Sequence, residues 1–503
     1  MGVERELKFI ADEGRDVPDL RPAIEGLRYG TMETATLSAT YYDTEDLRLA
    51  RAGVTLRSRR GEPGPVWTLK LPLGDDKGEL SRREIVFGGP ASKLPVEASD
   101  AVLAYRRGAA LQKVSELRTQ RVSTPLLLND QLVAVLCDDT VEAERGKEPV
   151  TFREIEVELH AVGIEANAVL KAVRNRFERS DWKIEGQSVP KVVRVLGAQA
   201  VAPADVVVPT LSRRARVSGA VQVAISRSVL EIVTFDAGTR LGIEPEDLHV
   251  YRVATRRLRS DLRTFRSLLD RSWAQTLRGE LRWIGAEVGV IRDLDVLRVR
   301  LGERIAKVAD PEAADALELL AMVDKQRDAA RVEMLGAMRS DRYIGLLENL
   351  IDAARAPKWR DGTDVTDRDA ARVFPSLVHK PWKNLRAAAD DLTDDSSDED
   401  LHDVRIVAKR CRYAVDAASL VCGRDARRFA TAIKAVQTVL GDHQDTVVTE
   451  AWLRRAAGER PSVGLLAGLL IANEIEERSV LRSRAAEVWS QAERPRLRAW
   501  MDQ

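Results

Sequence analysis

The sequence has little cysteine, no net charge and no leader-like opening. Cys137, Cys411 and Cys422 are too few and too scattered for a disulfide framework or a zinc site. Lys plus Arg and Asp plus Glu both number 79, and this balance argues against a surface built for bulk nucleic-acid binding. No cationic start precedes an apolar run, and no apolar stretch is expected to span a bilayer. We therefore expect a cytoplasmic protein with no membrane partner, in which any basic site is local.

The length of 503 residues predicts two or three domains, and these differ in the periodicity of their apolar residues. A linker is predicted at 198–212, which contains two prolines and no helical period. Arg-, Ala- and Leu-rich stretches with a 3.6-residue period follow it and predict an all-helical domain at 213–503. Helical patterns also occur near 97–120 and 163–179. Alternating runs typical of strands occupy 3–10, 54–60, 66–71, 82–87, 132–138 and 151–159.

The first alternating run places three charges on one face. Side chains of a strand point alternately to its two faces, so Glu4, Glu6 and Lys8 lie opposite Leu7 and Phe9. Such a face is usually just exposed to water. Two neighbouring carboxylates can also offer oxygen ligands to a hard cation such as Mg²⁺. This strand alone favours the solvated face.

The other strands sort their charges by sign, with glutamates on the last strand and mostly arginine and lysine on the middle ones. The charged residues that share these faces are Arg57, Arg59, Lys70, Arg82, Glu84, Glu154, Glu156 and Glu158. A closed antiparallel sheet with this inner face would form a polar tunnel, with helices covering its apolar outer face. Arginine and lysine bind phosphate, and carboxylates hold Mg²⁺ or Mn²⁺, so the interior suits a triphosphate.

The same residues stand in an ordered set of motifs. E-x-E-x-K opens the chain, and YYDTEDLRLARAGVTLRSRR, WTLK, RRE and EIEVE follow in order. Across about 195 residues this set resembles the CYTH superfamily of triphosphate tunnel metalloenzymes. The resemblance implies an α+β fold with a closed antiparallel β tunnel, predicted here at 1–197.

The resemblance also implies roles for individual residues. Arg118 and Arg121 resemble helix-borne arginines, and Lys191 falls near a family lysine that follows a serine, with two residues intervening here. The implied phosphate-binding and catalytic residues are Lys8, Arg57, Arg59, Lys70, Arg82, Glu84, Arg118, Arg121 and Lys191. The implied metal ligands for Mg²⁺ or Mn²⁺ are Glu4, Glu6, Asp138, Glu154, Glu156 and Glu158, and Asp139 is the open alternative to Asp138.

The helical half contains an internal duplication. HVYRVATRRLR from residue 249 and HDVRIVAKRCR from residue 402 both fit H-x₂-R-x₃-[RK]-R-x-R, and G-x₃-D recurs at 289 and 441. Two similar helical bundles are therefore predicted. On a helix each motif lines up as a basic stripe, in which near-neighbour arginines repel one another unless a polyanion or acidic partners relieve them.

This half resembles the CHAD, or conserved histidine α-helical, domain, which implies polyphosphate binding. The implied binding residues are His249, Arg252, Arg256, Arg259, Arg263, His402, Arg405, Lys409, Arg412, Lys434 and His443. The histidines also allow a metal-chelation hypothesis. We favour phosphate contact for His249 and His402, because the surrounding arginines would repel a metal ion. The acidic residues Asp293, Asp295 and Asp445 are expected to orient those arginines.

The leading interpretation is a metal-dependent hydrolase of inorganic triphosphate or short polyphosphate, joined to a polyphosphate-binding domain and associated with polyphosphate granules. One alternative is a nucleoside, thiamine or RNA triphosphatase or an adenylyl cyclase, although no base or thiazole pocket is apparent. A second is a non-catalytic polyphosphate-binding and targeting protein, against which the carboxylates count. Nucleic-acid binding is disfavoured, and the sequence leaves the oligomeric state open.

Overall fold

The computed structural model describes the chain except residues 1, 12–13, 62–65, 77–78, 146–147, 161–163, 183–188, 213, 309–312, 363, 394 and 503. The side chains of 2–4, 73–76, 79–81 and 164–166 also lie outside the described set. The chain divides into two units, Met1–Asp205 and Val206–Gln503.

Within its described residues, the first unit has nine strands and five α-helices, most of them short. The strands are β1 (Gly2–Ala11), β2 (Leu27–Tyr29), β3 (Glu33–Asp43), β4 (Thr55–Arg60), β5 (Trp67–Asp76), β6 (Glu79–Phe87), β7 (Gln112–Leu128), β8 (Gln131–Arg145) and β9 (Glu148–Leu159). The helices are α1 (Arg48–Arg51), α2 (Val96–Ala101), α3 (Leu103–Arg106), α4 (Ile164–Arg179) and α5 (Lys191–Leu196).

The strands close into a ring. Their order is β2-β7-β3-β4-β5-β6-β1-β9-β8, every pairing is antiparallel, and β8 pairs back onto β7. Eight strands thus form a barrel, and β2 lies outside the ring as an extra partner of β7. Closure leaves the ring without open edges and turns alternate side chains inward. The predicted closed antiparallel fold is confirmed.

Helix α4 covers the outer face of β1, β9 and β8. Leu7 and Phe9 point into this core, opposite the charged face of β1, and are 1% and 0% exposed. The rings of Phe9 and Phe177 stack with centroids 3.8 Å apart, and Trp182 packs edge-on against Phe177. Burying each such side chain stabilises the fold by about 1.5–3 kcal/mol. This packing fixes the two strands that carry most of the glutamates.

Helix α5 closes one mouth of the barrel. Val192, Val193 and Val195 are buried in one apolar cluster with Tyr41 and Leu117, which point into the barrel. Lys191, the first residue of α5, therefore lies at the edge of the barrel interior.

The segment 97–120 is not one helix, so that prediction was wrong. Helix α2 ends at Ala101, α3 ends at Arg106, and β7 begins at Gln112. The inward residues of β7 include Ser115, Thr119 and Arg121, so the strand lacks the apolar alternation by which strands are recognised.

The unit boundary falls inside the predicted linker. Asp205 accepts a hydrogen bond from Arg51 at 2.6 Å and pairs with Arg107, and Ala200 is buried in the α5 cluster. Residues up to 205 therefore pack on the first unit.

The second unit is helical and duplicated, as predicted. Its helices are α6 (Val217–Leu241), α7 (Pro245–Thr264), α8 (Arg271–Ile305), α9 (Ala313–Arg339), α10 (Asp341–Arg355), α11 (Ala370–Asp390), α12 (Asp398–Glu459) and α13 (Gly464–Ala492). Helix α12 breaks at Gly423, whose φ of 77° is left-handed, so its two parts correspond to α7 and α8. The copies share a core in which Leu301 and Val323 pack with Leu453 and Leu470.

Helix α6 contradicts the expectation that no apolar stretch is long enough to span a bilayer. Val217–Leu241 is long and apolar enough to cross a membrane, and 61% of its most apolar stretch is buried within the unit. Such burial is typical of the central helix of a folded helical domain.

Candidate functional site

The interior of the barrel is a largely charged cavity of about 220 Å³. Because side chains alternate along each strand, seven of the eight ring strands turn at least one charged residue inward. The charged residues that line the cavity are Glu6, Lys8, Arg57, Arg59, Lys70, Arg82, Glu84, Arg121, Asp139, Glu156, Glu158 and Lys191. Most of the residues predicted for the tunnel thus come together in one place.

The carboxylates whose side chains the structure describes form two overlapping groups, which share Glu156. The ligand group comprises Glu6, Glu156 and Glu158, and the buried group comprises Asp139, Glu154 and Glu156. Within each group the carboxylate oxygens lie within 4.8 Å of one another. Opposite ligands of Mg²⁺ stand about 4.2 Å apart, so small side-chain adjustments would let oxygens at this spacing hold a hard cation. A divalent metal fits this donor set.

Glu4 lies next to this group along β1. Its backbone is paired opposite Arg82 of β6, but its side chain lies outside the described residues. Its role as a metal ligand stays a prediction.

Lys8 lies among the glutamates. Its ammonium group pairs with Glu156 and is 3.4 Å from Glu6 and 3.8 Å from Glu154. Burial by itself lowers the pKa of Lys8, but the three carboxylates outweigh burial and raise it above its usual range. Lys8 is therefore charged and neutralises part of the carboxylate array.

Asp139, and not Asp138, faces the cavity. Asp139 is 0% exposed and accepts hydrogen bonds from Arg121 at 2.8 and 2.7 Å. Asp138 points to the other face of β8 and accepts from Arg153 at 2.8 and 2.6 Å. The assignment of Asp138 to the metal site is therefore corrected, since alternation along a strand admits only one of two neighbours.

Arg118 and Arg121 also lie on opposite faces of the barrel wall. Both lie on β7 and not on a helix; Arg118 is exposed on the outer face, whereas Arg121 bonds Asp139, Glu156 and Glu158 inside. Burial lowers the pKa of Arg121, but the hydrogen bonds and charge of these carboxylates outweigh it and raise the pKa. The placement of Arg118 among tunnel residues is wrong.

Lys191 occupies the centre of the buried group. Its ammonium nitrogen lies 2.7 Å from Glu154, 2.8 Å from Glu156 and 2.9 Å from Asp139. Burial lowers its pKa, but the same carboxylates raise the pKa well above its usual range. The residue with the least exact motif match thus makes three close contacts in the site.

The opposite wall of the cavity is basic. Burial, with Arg57 and Arg121 nearby, lowers the pKa of Arg59 to about 10. Arg57 donates a hydrogen bond to the hydroxyl of Tyr41 at 3.3 Å. Burial raises the pKa of Tyr41, but Arg57, Lys191 and Lys70 outweigh it and lower the pKa. The sequence reasoning missed Tyr41, whose signal was its place in the quoted YYDT motif.

The second unit contains a cavity of about 720 Å³ between α7, α8, α11 and α12, here called the basic groove. Its basic residues are Arg256, Arg259, Arg263, Arg266, Arg278, Arg282, Lys380, Lys409 and Arg410. No carboxylate occurs among the described residues that line it. Burial lowers the pKa of Arg263, and Arg410 and Arg278 lower it further, so the arginines are crowded without an anionic partner in the lining.

The predicted basic set divides between this groove and its surroundings. Arg256, Arg259, Arg263 and Lys409 line the groove. The predicted residues outside its lining are His249, Arg252, His402, Arg405, Arg412, Lys434 and His443. The sequence reasoning did not assign Arg278, Arg282, Lys380 and Arg410, which lie outside the quoted stripes or on their far side.

The G-x₃-D motifs lie against the first arginine of each stripe. Asp293 lies 2.9 Å from Arg252, and a Cβ added at Gly289 would lie 3.7 Å from the same guanidinium. In the second copy, a Cβ at Gly441 would lie 3.6 Å from the guanidinium of Arg405. The absence of a side chain at these two glycines thus lets each guanidinium lie against the helix that carries the glycine.

The motif histidines have protein partners or neighbours. His402 Nδ1 lies 2.7 Å from Gln444 Oε1, and His443, 1% exposed, lies 3.2 Å from Asp398. Burial lowers the pKa of His249, and Arg292 lowers it further. Phosphate contact by these histidines stays a prediction.

Comparisons with known proteins agree with both halves of this description. A model of the CYTH domain family matches residues 2–180, and a model of the CHAD domain family matches residues 224–454. Uncharacterized protein Rv2226 of Mycobacterium tuberculosis (strain H37Rv) is 30% identical over 484 residues, covering 90% of this chain and 89% of that protein. The chain belongs to the family that joins a CYTH domain to a CHAD domain. The barrel unit is its CYTH domain, and the helical unit is its CHAD domain.

Solved structures give further similarities. The CHAD domain from the plant Ricinus communis is 26% identical, with a TM-score of 0.47 and coverage of 58% of this chain and 97% of that chain. PptA from Streptomyces chartreusis is 21% identical, with a TM-score of 0.46 and coverage of 55% and 99%. The PH1819 protein from Pyrococcus horikoshii is 20% identical, with a TM-score of 0.24 and coverage of 38% and 98%.

Replacing Arg121 by Met should destabilise the CYTH domain by about 3–5 kcal/mol, because it removes one of the cations that neutralise the buried carboxylates. The matched variant Arg118→Met, on the same strand but exposed, should change stability by less than about 0.5 kcal/mol. Urea unfolding of the CYTH transition in the full chain measures both. Equal midpoints for the two variants would contradict the inward placement of Arg121.

Proposed function

We propose that the CYTH domain hydrolyses inorganic triphosphate or short polyphosphate with Mg²⁺ or Mn²⁺, and that the CHAD domain binds polyphosphate. The observation that carries this proposal is the pairing of opposite chemistries in one small cavity. Carboxylates of Glu6, Glu156 and Glu158 lie on one side, and Arg57 and Arg59 lie on the other. Few ligands other than a metal-bound polyanion need both.

The residues divide the work of hydrolysis. Glu6, Glu156 and Glu158 would hold the metal, which when bound neutralises phosphate oxygens and activates water. Arg57 and Arg59 would bind phosphate oxygens by their paired N–H groups and stabilise the charge of the transition state. Lys70, 3.4 Å from Glu84, and Arg82 would extend this basic wall along the chain of phosphates.

The residues that line the cavity favour an inorganic substrate. Tyr41 is the one aromatic side chain among the described residues that line it, and its hydroxyl is engaged by Arg57. Nucleobases are commonly held by stacking on exposed aromatic faces, and Tyr41, which is 5% exposed, is a poor platform for stacking. This supports triphosphate or short polyphosphate over a nucleotide, and hydrolysis over cyclisation.

The CHAD groove supports binding of a longer polymer. Nine basic side chains line one continuous cavity, and an anionic chain would relieve their mutual repulsion. In this proposal the CHAD domain tethers the protein to polyphosphate, including polyphosphate granules, while the CYTH domain carries out hydrolysis.

Replacing Glu6 by Gln should reduce phosphate release from tripolyphosphate by more than about 100-fold, since even residues that merely orient a metal ligand matter 10–100-fold. The change preserves size and strand pattern, so circular dichroism should be unchanged. The control is Asp138→Asn, which should retain activity because Asp138 faces away from the cavity. Near-normal hydrolysis by Glu6→Gln at saturating Mg²⁺ would overturn the proposal.

Charge reversal in the groove should separate binding from hydrolysis. Arg259→Glu with Arg263→Glu should weaken binding of long polyphosphate, measured in EDTA, by about tenfold or more per residue. The salt dependence of binding should also become shallower. The matched control reverses Arg424 and Arg427, which are exposed on α12 outside the groove. Equal losses in the two double variants would show that only overall charge matters.

Polyphosphate binding should weaken as pH rises through neutrality. Burial, together with Arg405, Arg256 and Arg252, lowers the pKa of Lys409 to about 7. A bound polyanion favours the charged ammonium, so binding takes up a proton and is strongest below pH 7. Affinity should fall by at most about tenfold per pH unit above that value.

The control for this effect is Lys409→Arg, which stays charged and should bind long polyphosphate with a flatter pH profile. Calorimetry in two buffers of different ionisation enthalpy should show proton uptake in the wild type alone. An unchanged pH profile in Lys409→Arg would exclude Lys409 as the titrating group.

A further inference from the structure

We propose that the CYTH tunnel holds a single divalent cation, and that the ammonium group of Lys191 permanently takes the place of a second. The cation would bind in the ligand group of Glu6, Glu156 and Glu158. The second position, in the buried group of Asp139, Glu154 and Glu156, is filled by the protein itself. This inference builds on the proposed function but concerns metal stoichiometry, which is measured without turnover.

The geometry of Lys191 is that of a coordinated cation. One nitrogen lies 2.9 Å from Asp139 Oδ2, 2.7 Å from Glu154 Oε1 and 2.8 Å from Glu156 Oε2. These three residues are the same three whose oxygens converge closely enough to hold a metal. At these distances one ammonium group offsets charge on all three carboxylates at once.

Other cations complete the neutralisation of this buried group. Arg121 Nη2 lies 2.7 Å from Asp139 Oδ2 and 2.8 Å from Glu156 Oε2, the same two oxygens that Lys191 contacts. Arg194 approaches the second oxygen of Glu154 at 3.4 Å. Asp139 and Glu154 are both 0% exposed. A divalent ion entering here would meet like charge in a buried site, which is costly.

The ligand group is placed differently. Glu6 and Glu158 line the open cavity, Glu158 is 26% exposed, and both face the basic wall where phosphate would lie. Cations also lie beside this group: Lys8 pairs with Glu156 and is 3.4 Å from Glu6, and Arg121 is 3.2 Å from Glu158. Because Glu6 and Glu158 open onto the cavity, a cation can reach this group together with a polyanion, whose phosphate oxygens would complete the coordination of the metal.

Helix α5 holds Lys191 in position. Val192, Val193 and Val195 are 3%, 5% and 1% exposed in the cluster that closes the barrel mouth. Removing Lys191 from the carboxylates would require either a turn of its side chain into the phosphate cavity or the undocking of this apolar face. The docked helix thus fixes the backbone of Lys191 beside the three carboxylates.

Titration of the full chain with Mn²⁺ tests the stoichiometry. Free Mn²⁺ is followed by electron paramagnetic resonance, with excess KCl to screen weak surface binding. The wild type should bind one equivalent, and Lys191→Met, which keeps an apolar stem but no charge, should bind two. Lys191→Arg should still bind one, and Glu6→Gln should bind none. Lys171→Met, an exposed lysine of α4, is the matched control and should bind one.

Thermal unfolding gives a second measurement. Mn²⁺ should raise the melting temperature of Lys191→Met more than that of the wild type, since it would replace the missing charge. Two equivalents in the wild type, or one equivalent in a folded Lys191→Met, would overturn the single-cation tunnel. If Lys191→Met does not fold, the wild-type count decides.

Failure of this inference is distinguishable from failure of the proposed function. A tunnel that binds two Mn²⁺ and still releases phosphate from tripolyphosphate overturns the single-cation inference alone. A tunnel that binds one Mn²⁺ but releases no phosphate supports the inference and overturns the proposed hydrolysis.

Discussion

The CYTH domain depends on how its buried carboxylates are neutralised. Asp139, Glu154 and Glu156 come from two adjacent strands and are almost completely buried. Isolated buried charges would be prohibitively costly, so the barrel requires Arg121 and Lys191 beside them, each with several contacts under 3 Å. These partners come from β7 and α5. The ion network therefore joins the barrel wall to the helix that closes its mouth, and it couples folding to the assembly of the site.

This arrangement inverts the usual relation of a sheet to its core. The apolar faces of β1 and β9 point outward against α4, where Phe9 stacks on Phe177. The inner faces are free to carry charge because closure of the ring satisfies the backbone without an apolar interior. A barrel of this kind gains stability from its outer layer, so its interior can be specialised for a polyanion and a metal. The same inversion explains why the first part of β7, whose inner residues are mostly polar, was mistaken for a helix.

The CHAD domain also concentrates charge, but the described lining of its basic groove offers no carboxylate to balance the cations. In the stripes, Arg252 is paired with Asp293, whereas the described lining of the basic groove contains only cations and neutral residues. The duplication provides the framework, since α7 and the first part of α12 meet at the groove. The two copies differ at this point. The position that Arg263 occupies in the first copy is Asp416 in the second, and Asp416 pairs with Arg412. Six of the nine basic residues of the groove consequently come from the first copy, and Lys380, Lys409 and Arg410 come from α11 and α12.

Strand alternation and ordered motifs in the sequence were enough to determine the charged inner face, the duplication and the two families, because a period of two or 3.6 residues fixes which side chains share a face. Only the tertiary structure decided between Asp138 and Asp139 and between Arg118 and Arg121, since those choices depend on which face of each strand closes inward. It alone placed Lys191 among three carboxylates, because that contact joins a helix to strands 35 or more residues earlier. The basic groove likewise required structure, since its cations come from four helices whose packing no local pattern specifies.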